Sequence, residues 1–399
     1  MAARVAAVVH ARLPTELSGH WPDVVGLDAD ADDSQVVIEA RDWSNSRLFA
    51  EGRLLQWVRT REARGDTLVV ELGWHLPGID DAPENPRWEQ LRQSLTAHVL
   101  LRFAQRVKDA QGDDRSEEIS AVQTAALRQM GGELWRGDER CVVVDDRFGA
   151  PPPPRLFRER EDPEGEDVGY VGRRVRSVIR RMGLPLIADA ESVVEFVREA
   201  VENTTDHAIR DLEKRRVSGL RFFQARRIGL AQHHPEGLAA TTTGSVVAEY
   251  LERWRSLAPP EERRSSYLVE MTIADCGLGI AAQLYRDENI YTNSSAAELE
   301  VLLRATRRDE SSKSASVAGR GQGLSKMREA AAELHGIVVV RSGRFELAAD
   351  TSEATPPGQD GWHVAEQPFL RGTSVSLLLP WWEAAQGQLP DAPQQKLIE

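Results

Sequence analysis

Four consecutive prolines, Pro151 to Pro154, divide this chain more sharply than any other feature of its sequence. They lie in the stretch GAPPPPRLFREREDPEGEDVG, residues 149–169. Because proline fixes φ and lacks a backbone N–H, such a run continues neither a helix nor a central strand. It is typical of a stiff, extended connector. We therefore predict a linker over residues 149–170, between an N-terminal domain (1–148) and a second domain (171–382), with a flexible tail at 383–399.

The N-terminal region shows a strand–helix–strand pattern. SQVVIEA (34–40) and TLVVELG (67–73) are strand candidates, and between them residues 47–65 place Leu48, Leu55 and Val58 at helical spacing before a stop at Gly65. This order predicts a parallel crossover in a small α/β domain. Helices are also predicted over 87–110 and 116–130, and a strand over 140–146.

Composition limits the classes of function. A chain of 399 residues can hold two or three domains. Its net charge of -13 argues against a general nucleic-acid or membrane-surface binder, which would need a basic face. Two distant cysteines give neither a disulfide framework nor a structural zinc site. No apolar run reaches the roughly 18 residues of a membrane span, so we expect a cytoplasmic protein.

The segment VREAVENTTDHA (197–208) places polar side chains on one helical stripe. Glu199 and Asn203 are four residues apart, and Asp206 follows at the next turn beside His207. Carboxylate and amide oxygens suit Mg²⁺, and a glutamate beside a bound water can act as a general base. Taken alone, the segment is more typical of a solvated helix face, with Glu202 off the stripe.

Three further motifs follow along the chain. IADCGLGI ends an apolar strand at Asp275 and continues with Gly277 and Gly279. An aspartate there can accept a hydrogen bond from an exocyclic amine, and glycines allow a ligand to approach the backbone closely. The alternative is an ordinary turn.

GRGQGL places Gly319, Gly321 and Gly323 before a helix that begins near Leu324, an arrangement that can bind phosphates or serve as a flexible linker. RGTSVSLLLP has Gly372 and Thr373 at the start of a late strand.

The order of these four motifs resembles the GHKL ATPase superfamily, which includes the gyrase B subunit, a heat-shock chaperone, histidine kinases and mismatch-repair ATPases. The resemblance covers about residues 173–380. It implies an HATPase-type domain with the Bergerat fold, an α/β class fold built as an α+β sandwich with helices on one face of a mixed sheet. It also implies ATP and Mg²⁺ as ligands.

Carried over to this sequence, the resemblance assigns a role to each motif residue. Glu199 resembles the catalytic base, and Asn203 the Mg²⁺ ligand, with Asp206 at a frequent acidic position. Asp275 resembles the acceptor of the adenine amine, supported by Gly277 and Gly279. The phosphate loop would comprise Gly319, Gly321, Gly323 and Leu324, and Thr373 would reach the adenine side.

Two departures from a minimal domain of this kind are evident. The 67 residues between His207 and Asp275 predict a helical insertion near 210–260, including LRFFQARRIGLAQHH. A basic and serine-rich stretch predicts a lid near 295–322. Its cations are candidate phosphate contacts: Arg307, Arg308, Lys313 and Arg320.

Within the superfamily, no histidine lies in the context of a phosphoacceptor helix, and the 19 residues after Pro380 leave no room for a transducer domain. A stand-alone ATPase behind an N-terminal domain remains. That domain is weakly similar to half of a STAS domain, with Ser44 or Ser46 either at the phosphoacceptor-like turn or simply turn and cap residues.

We therefore expect an ATP hydrolase that acts as a nucleotide-driven switch for a protein partner. A homodimer is compatible with this expectation, whereas membrane or nucleic-acid binding is not indicated. The alternatives are an anti-sigma-type serine kinase or histidine-kinase-like phosphotransferase, and a nucleotide-binding module without turnover.

Overall fold

The computed structural model describes most of the predicted elements. The described residues are 8–12, 35–40, 48–78, 85–129, 133–136, 139–145, 168–181, 190–207, 211–213, 215, 219–229, 244–257, 267–307, 323–352 and 361–381. Residues 149–167 of the predicted linker, the tail, Ser44 and Ser46 lie outside them, whereas residues 168–170, predicted as linker, are helical.

The first sheet is parallel and has the strand order β1-β2-β3-β4. Its strands are β1 (Val8–Arg12), β2 (Gln35–Ala40), β3 (Thr67–Leu72) and β4 (Arg106–Lys108). Helix α1 (Ala50–Ala63) connects β2 to β3, which confirms the predicted parallel crossover.

The helix predicted over residues 87–110 is wrong in its extent. The chain forms α2 (Pro86–Gln93) and α3 (Leu95–Phe103), and then strand β4. Ser94 breaks the helix because it adopts an extended conformation (φ -80°, ψ 122°) and its hydroxyl accepts a hydrogen bond from the Ala97 amide. A serine that bonds a nearby amide in this way starts a new helix. The next predicted helix is confirmed as α4 (Ser116–Gln129).

The second sheet is antiparallel and has the strand order β5-β6-β7-β8-β10-β9. Its strands are β5 (Glu133–Arg136), β6 (Glu139–Asp145), β7 (Leu220–Gly229), β8 (Tyr267–Asp275), β9 (Ile337–Asp350) and β10 (His363–Trp381). The expected mixed sheet is therefore wrong for the described strands, since each pairs antiparallel with its neighbours. β8 and β9 run in the same direction, but β10 lies between them and pairs antiparallel with both, so these two strands form no parallel pair.

Further helices belong to this second region: α5 (Val168–Arg181), α6 (Glu191–His207), α7 (Gly244–Leu257), α8 (Ile280–Tyr285), α9 (Ser295–Ala305) and α10 (Gly323–Glu333). The helical insertion expected near 210–260 is correct for α7. It is wrong for Leu220–Gly229, which forms β7. In β7 successive side chains point to opposite faces, so the neighbours Phe222 and Phe223 are buried in different cores.

Strands from both sides of the proline-rich stretch form this second sheet. β6 precedes that stretch and β7 follows it, yet they pair from Glu139 with Arg226 to Asp145 with Leu220. One hydrophobic core also includes Val36 of the parallel sheet, Leu54 of α1 and Phe222 of the antiparallel sheet. The two regions that the prolines separate in sequence therefore share a core.

The elements stack in layers, and α1 lies between the two sheets. It packs against α3 and β3 on one side and against β8 and β10 on the other. The opposite face of the antiparallel sheet is covered by α6, which in turn packs against α5 and α10. Helices thus cover both faces of this sheet rather than the one face expected, because α1 and α7 occupy the second.

Candidate functional site

Helix α6 brings Asn203 into contact with the start of helix α10. A methyl group at Gly323 would lie 2.5 Å from Nδ2 of Asn203, so the amide packs directly against the glycine backbone. The two helices pack closely along their length. The predicted Mg²⁺ ligand and the last glycine of the predicted phosphate loop are therefore neighbours.

Glu199 lies one turn before Asn203 and is only 8% exposed. Two cations contact the same oxygen of its carboxylate. Arg198 Nη2 donates to Oε1 at 2.9 Å, and Lys326 Nζ of α10 donates to it at 3.4 Å. The predicted catalytic base is thus held by an ion pair to the helix that follows the glycine loop.

The other polar residues of α6 contribute less to the described site. Glu202 was expected to be solvated, but it is half-buried and pairs with Arg198 at 3.6 Å. Asp206 and His207 lie in the last turn of α6, and their side chains are outside the described part of the chain.

Asp275 is the last residue of β8 and is 5% exposed. Its Oδ1 accepts hydrogen bonds from the amide of Gly277 at 2.9 Å and from the amide of Thr373 at 3.3 Å. Burial raises the pKa of Asp275 to about 6, although these two amides and the nearby Arg221 guanidinium lower it. Arg221 is the register partner of Asp275 on β7. Both described donors reach Oδ1, which leaves Oδ2 as the atom with which Asp275 can accept a ligand.

The turn after Asp275 requires glycine at one position in particular. Gly279 has φ +89°, and a methyl group there would lie 2.4 Å from the Tyr291 hydroxyl. That hydroxyl donates to the carbonyl of Leu278 at 2.8 Å and accepts from the Ala282 amide at 3.3 Å. Tyr291 therefore fixes the turn and the start of α8.

Thr373 lies within β10 rather than at a strand start, because β10 begins at His363. It is paired with Asp275 in the register of β8 and β10. The preceding residue, Gly372, has φ +97°, and a methyl group there would lie only 2.2 Å from the Asp275 carbonyl oxygen. A register shift between Leu370 and Thr373 marks the same position. A bulge of this kind re-aims the strand beside Asp275.

The structure thus brings the predicted residues together in two groups. One comprises Glu199, Asn203 and Gly323; the other comprises Asp275, Gly277 and Thr373, with Gly279 ending the turn. Helix α6 packs against β8, the strand that ends in Asp275. The side chain of Leu324 is 7% exposed and belongs to the core with Met327, so it anchors the start of α10.

Much of the predicted lid and phosphate loop lies outside the described residues. This applies to Gly319 and Gly321, and to Arg308, Lys313 and Arg320. Arg307 is described and follows α9, whose residues Ser295–Ala305 form the helical first part of the predicted lid.

Sequence reasoning missed Lys326 and Arg221. Lys326 is three residues after Gly323 and so faces α6 from the first turn of α10, a spacing that the sequence does display. Arg221 lies in a segment predicted to be helical, and that prediction conceals its proximity to Asp275. Read as a strand, the alternation in LRFFQARR places Arg221 on the same face as Phe223, toward α6.

The described part of the chain contains neither a metal-binding cluster nor a helix that could span a membrane. No group of three or more His, Cys, Asp or Glu side chains there is placed to hold a metal ion. No helix among the described residues has the length and hydrophobicity to cross a membrane.

Comparison with known proteins matched no family model, no curated protein and no solved structure.

Proposed function

We propose that this protein binds ATP with Mg²⁺, hydrolyses it slowly, and uses the bound nucleotide to switch a surface that contacts a protein partner. The observation that carries the proposal is the burial and hydrogen bonding of Asp275. A buried carboxylate at a strand end, held at one oxygen by two backbone amides, offers its other oxygen as an acceptor for an exocyclic amine. Burying such a group is costly unless a partner is present.

The contact between Asn203 and Gly323 supports the phosphate side of the proposal. The start of α10 provides unpaired backbone amides and the positive end of a helix dipole, both suited to phosphate. The Asn203 amide oxygen beside it would hold Mg²⁺ together with phosphate oxygens and water. Bound Mg²⁺ would offset the charge that develops on the phosphates.

Glu199 would act as the general base. Its carboxylate takes a proton from water as the water oxygen bonds to the γ-phosphorus and the bond to the β,γ-bridging oxygen breaks. Arg198 and Lys326 occupy this carboxylate in the described state. We therefore expect Lys326 to leave Glu199 when phosphate binds, a conformational step consistent with slow turnover.

The same ion pairs favour a second candidate, a nucleotide-binding module without turnover. If Lys326 and Arg198 keep their contacts with Glu199 when ATP is bound, the carboxylate cannot accept a proton from water. The phosphotransfer alternatives, including a serine kinase, would use the same pocket. They differ in the group that accepts the γ-phosphate, which would be a protein side chain instead of water.

Binding and turnover are tested with four proteins: the wild type, Asp275→Asn, Glu199→Gln, and the control Glu202→Gln on the same helix. We expect ATP with Mg²⁺, more than GTP, to raise the melting temperature of the wild type. Asp275→Asn should abolish that shift. Glu199→Gln should keep it and lose at least about a hundredfold in phosphate release, the usual scale of general-base catalysis, whereas Glu202→Gln should behave as wild type.

Other outcomes select among the alternatives. Binding without phosphate release in the wild type supports the non-hydrolysing module, and transfer of labelled phosphate to a protein supports a kinase. Absence of any ATP-dependent shift, with Asp275→Asn indistinguishable from wild type, would overturn nucleotide binding itself.

A further inference from the structure

A single peptide group connects the N-terminal helix α1 to Asp275. Gln56 of α1 is fully buried, and its Nε2 donates to the carbonyl oxygen of Gly372 at 3.0 Å. The amide at the other end of that peptide unit belongs to Thr373 and donates to Oδ1 of Asp275 at 3.3 Å. The carbonyl and the N–H of one rigid, planar peptide therefore have Gln56 on one side and Asp275 on the other.

Gln56 also fixes the neighbouring strand. The same Nε2 donates to the carbonyl of Arg341 at 3.1 Å, so both hydrogens of the amide group are used, one on β9 and one on β10. It makes these bonds where the register of the two strands shifts, between Leu370 and Thr373. Regular ladder bonds do not hold the chain at such a shift.

Thr60, one turn further along α1, bonds the peptide between Leu370 and Arg371, two peptides earlier in β10. Its hydroxyl accepts a hydrogen bond from the Arg371 amide at 2.7 Å and donates to the carbonyl of Gln56 at 2.7 Å. Two residues of α1 thus form hydrogen bonds with the segment 371–373 from the side opposite Asp275. Gly372, with φ +97°, lies within this segment, so the backbone of β10 departs locally from regular strand geometry there.

We propose that Gln56, assisted by Thr60, is a positioning residue for the nucleotide. By fixing the peptide between Gly372 and Thr373, α1 keeps an amide aimed at Asp275, and so the docked N-terminal helix sets the affinity of the pocket for the base. The inference rests on the proposed function, because it assigns the regulation of that same site. Hydrogen bonds at the two ends of one peptide strengthen each other, so loss of the Gln56 bond weakens the donor to Asp275.

The test compares ATP binding by the wild type, Gln56→Leu and the control Gln123→Leu, measured by calorimetry from pH 5 to 8. Gln123 is a buried glutamine of α4 whose Nε2 donates to the carbonyl of Leu91, away from segment 371–373. Gln56→Leu should weaken ATP binding roughly three- to tenfold, the scale of one hydrogen bond. The acid midpoint of binding should also move to higher pH, since Asp275 loses part of a bond that favours its ionised form. Gln123→Leu should show neither change.

A second pair of variants tests the proposal independently if Gln56→Leu does not fold. Thr60→Val removes the acceptor for the Arg371 amide, whereas Thr60→Ser keeps it. We expect weaker ATP binding for Thr60→Val and wild-type binding for Thr60→Ser. Equal binding by both, or equal loss in Gln56→Leu and Gln123→Leu, would overturn the proposal.

Amide hydrogen exchange of peptides covering 371–373, measured without nucleotide, separates this proposal from the proposed function. Faster exchange in Gln56→Leu than in Gln123→Leu would show that hydrogen bonds from α1 stabilise this segment, and unchanged exchange would refute that. If α1 stabilises the segment but the wild type binds no ATP, the proposed function fails and the positioning role fails with it. If the wild type binds ATP but Gln56→Leu binds it as tightly, only the positioning role fails.

Discussion

At the scale of single residues, Asp275 combines a proposed ligand role with a cost to the fold. Burial raises its pKa to about 6, whereas an unfolded aspartate titrates near 3.9. The folded state therefore binds the proton more tightly. The stability that this gives is complete below about pH 4 and is lost as the pH rises through 6. Near neutral pH the molecule bears the cost of a buried carboxylate that a ligand amine would relieve.

We predict that Asp275→Asn stabilises the ligand-free protein at pH 8 by about 1–3 kcal/mol and abolishes the ATP-dependent rise in melting temperature. The asparagine oxygen can still accept from the amides of Gly277 and Thr373, while its NH₂ group repels an exocyclic amine. Thermal unfolding at pH 4 and pH 8 measures the effect, which should vanish at the lower pH. An Asp275→Asn protein that is less stable than wild type at pH 8 would contradict this account.

Gly323→Ala should alter ligand binding without harming the fold. The added methyl group would lie 2.5 Å from the Asn203 amide, which can move because it ends a side chain. Alanine also favours a helix more than glycine does. We expect an unchanged or higher melting temperature and a Mg²⁺-dependent ATP affinity that falls roughly tenfold, as for other displaced metal ligands. Gly78→Ala, with open space around it, is the control, and an unchanged Mg²⁺ dependence would refute the assignment of Asn203.

At the scale of elements, the interface between α1 and the antiparallel sheet contains a buried charge cluster. Arg226 of β7 pairs with Glu51 of α1 at 3.2 Å and with Glu270 of β8 at 3.0 Å. Burial raises the pKa of Glu51 to about 7; Arg226 lowers it, and the carboxylates of Glu139 and Glu270 raise it. One guanidinium thus faces three carboxylates.

This cluster predicts a pH-dependent stability. Since the folded pKa of Glu51 is above its unfolded value of about 4.3, its contribution is complete below that value and is lost as the pH rises through 7. Glu51→Gln should remove this loss. The melting temperature of the variant, relative to that of the wild type, should therefore rise as the pH increases from 5 to 8. Differential scanning calorimetry across that range provides the measurement, and parallel profiles for the two proteins would show that Glu51 does not titrate there.

The same helix shows where prediction from the sequence succeeds and where it stops. The spacing of Leu48, Leu55 and Val58 correctly predicted that α1 is a helix, because spacing is local information, although the helix begins at Ala50, after Leu48. They also suggested one apolar face, whereas Gln56 and Glu51 are buried too. Both have partners more than 170 positions away, such as Arg226 for Glu51, and no local pattern records such a pairing. β7 was missed for a related reason, since both its faces are covered and a strand covered on both faces lacks simple alternation.

The site motifs were predicted in type and position for a physical reason. The strand that ends at Asp275 and the helix that begins beside Leu324 are confirmed as β8 and α10. Glycine turns and helix starts have strong local signals. The contacts of Glu199 with Lys326 and of Gly372 with Gln56 join separate elements, so the sequence alone did not predict them. The nucleotide role stays a prediction.

At the scale of the whole molecule, the shared core predicts how fragments behave. A fragment of residues 171–382 lacks β5, β6 and α1. It would expose the edge of β7 and leave Arg226 and Glu270 without the helix that covers them. We expect it to aggregate or to lose cooperative unfolding, because unpaired strand edges and uncovered charge clusters both destabilise. Urea unfolding of this fragment and of residues 8–381 provides the comparison, and a cooperative, ATP-binding 171–382 fragment would show that the linker does divide independent domains.

The strand order of the antiparallel sheet also has a consequence during synthesis. β6 leaves the ribosome before its partner β7, which follows about 75 residues later, a delay of roughly 4–15 s at cellular rates of elongation. β10, which lies between β8 and β9, arrives last of all the described strands. During this interval the edge of β6 that β7 covers in the folded sheet has no strand beside it. We infer that chaperones which shield strand edges would raise the yield of this protein more than faster translation would.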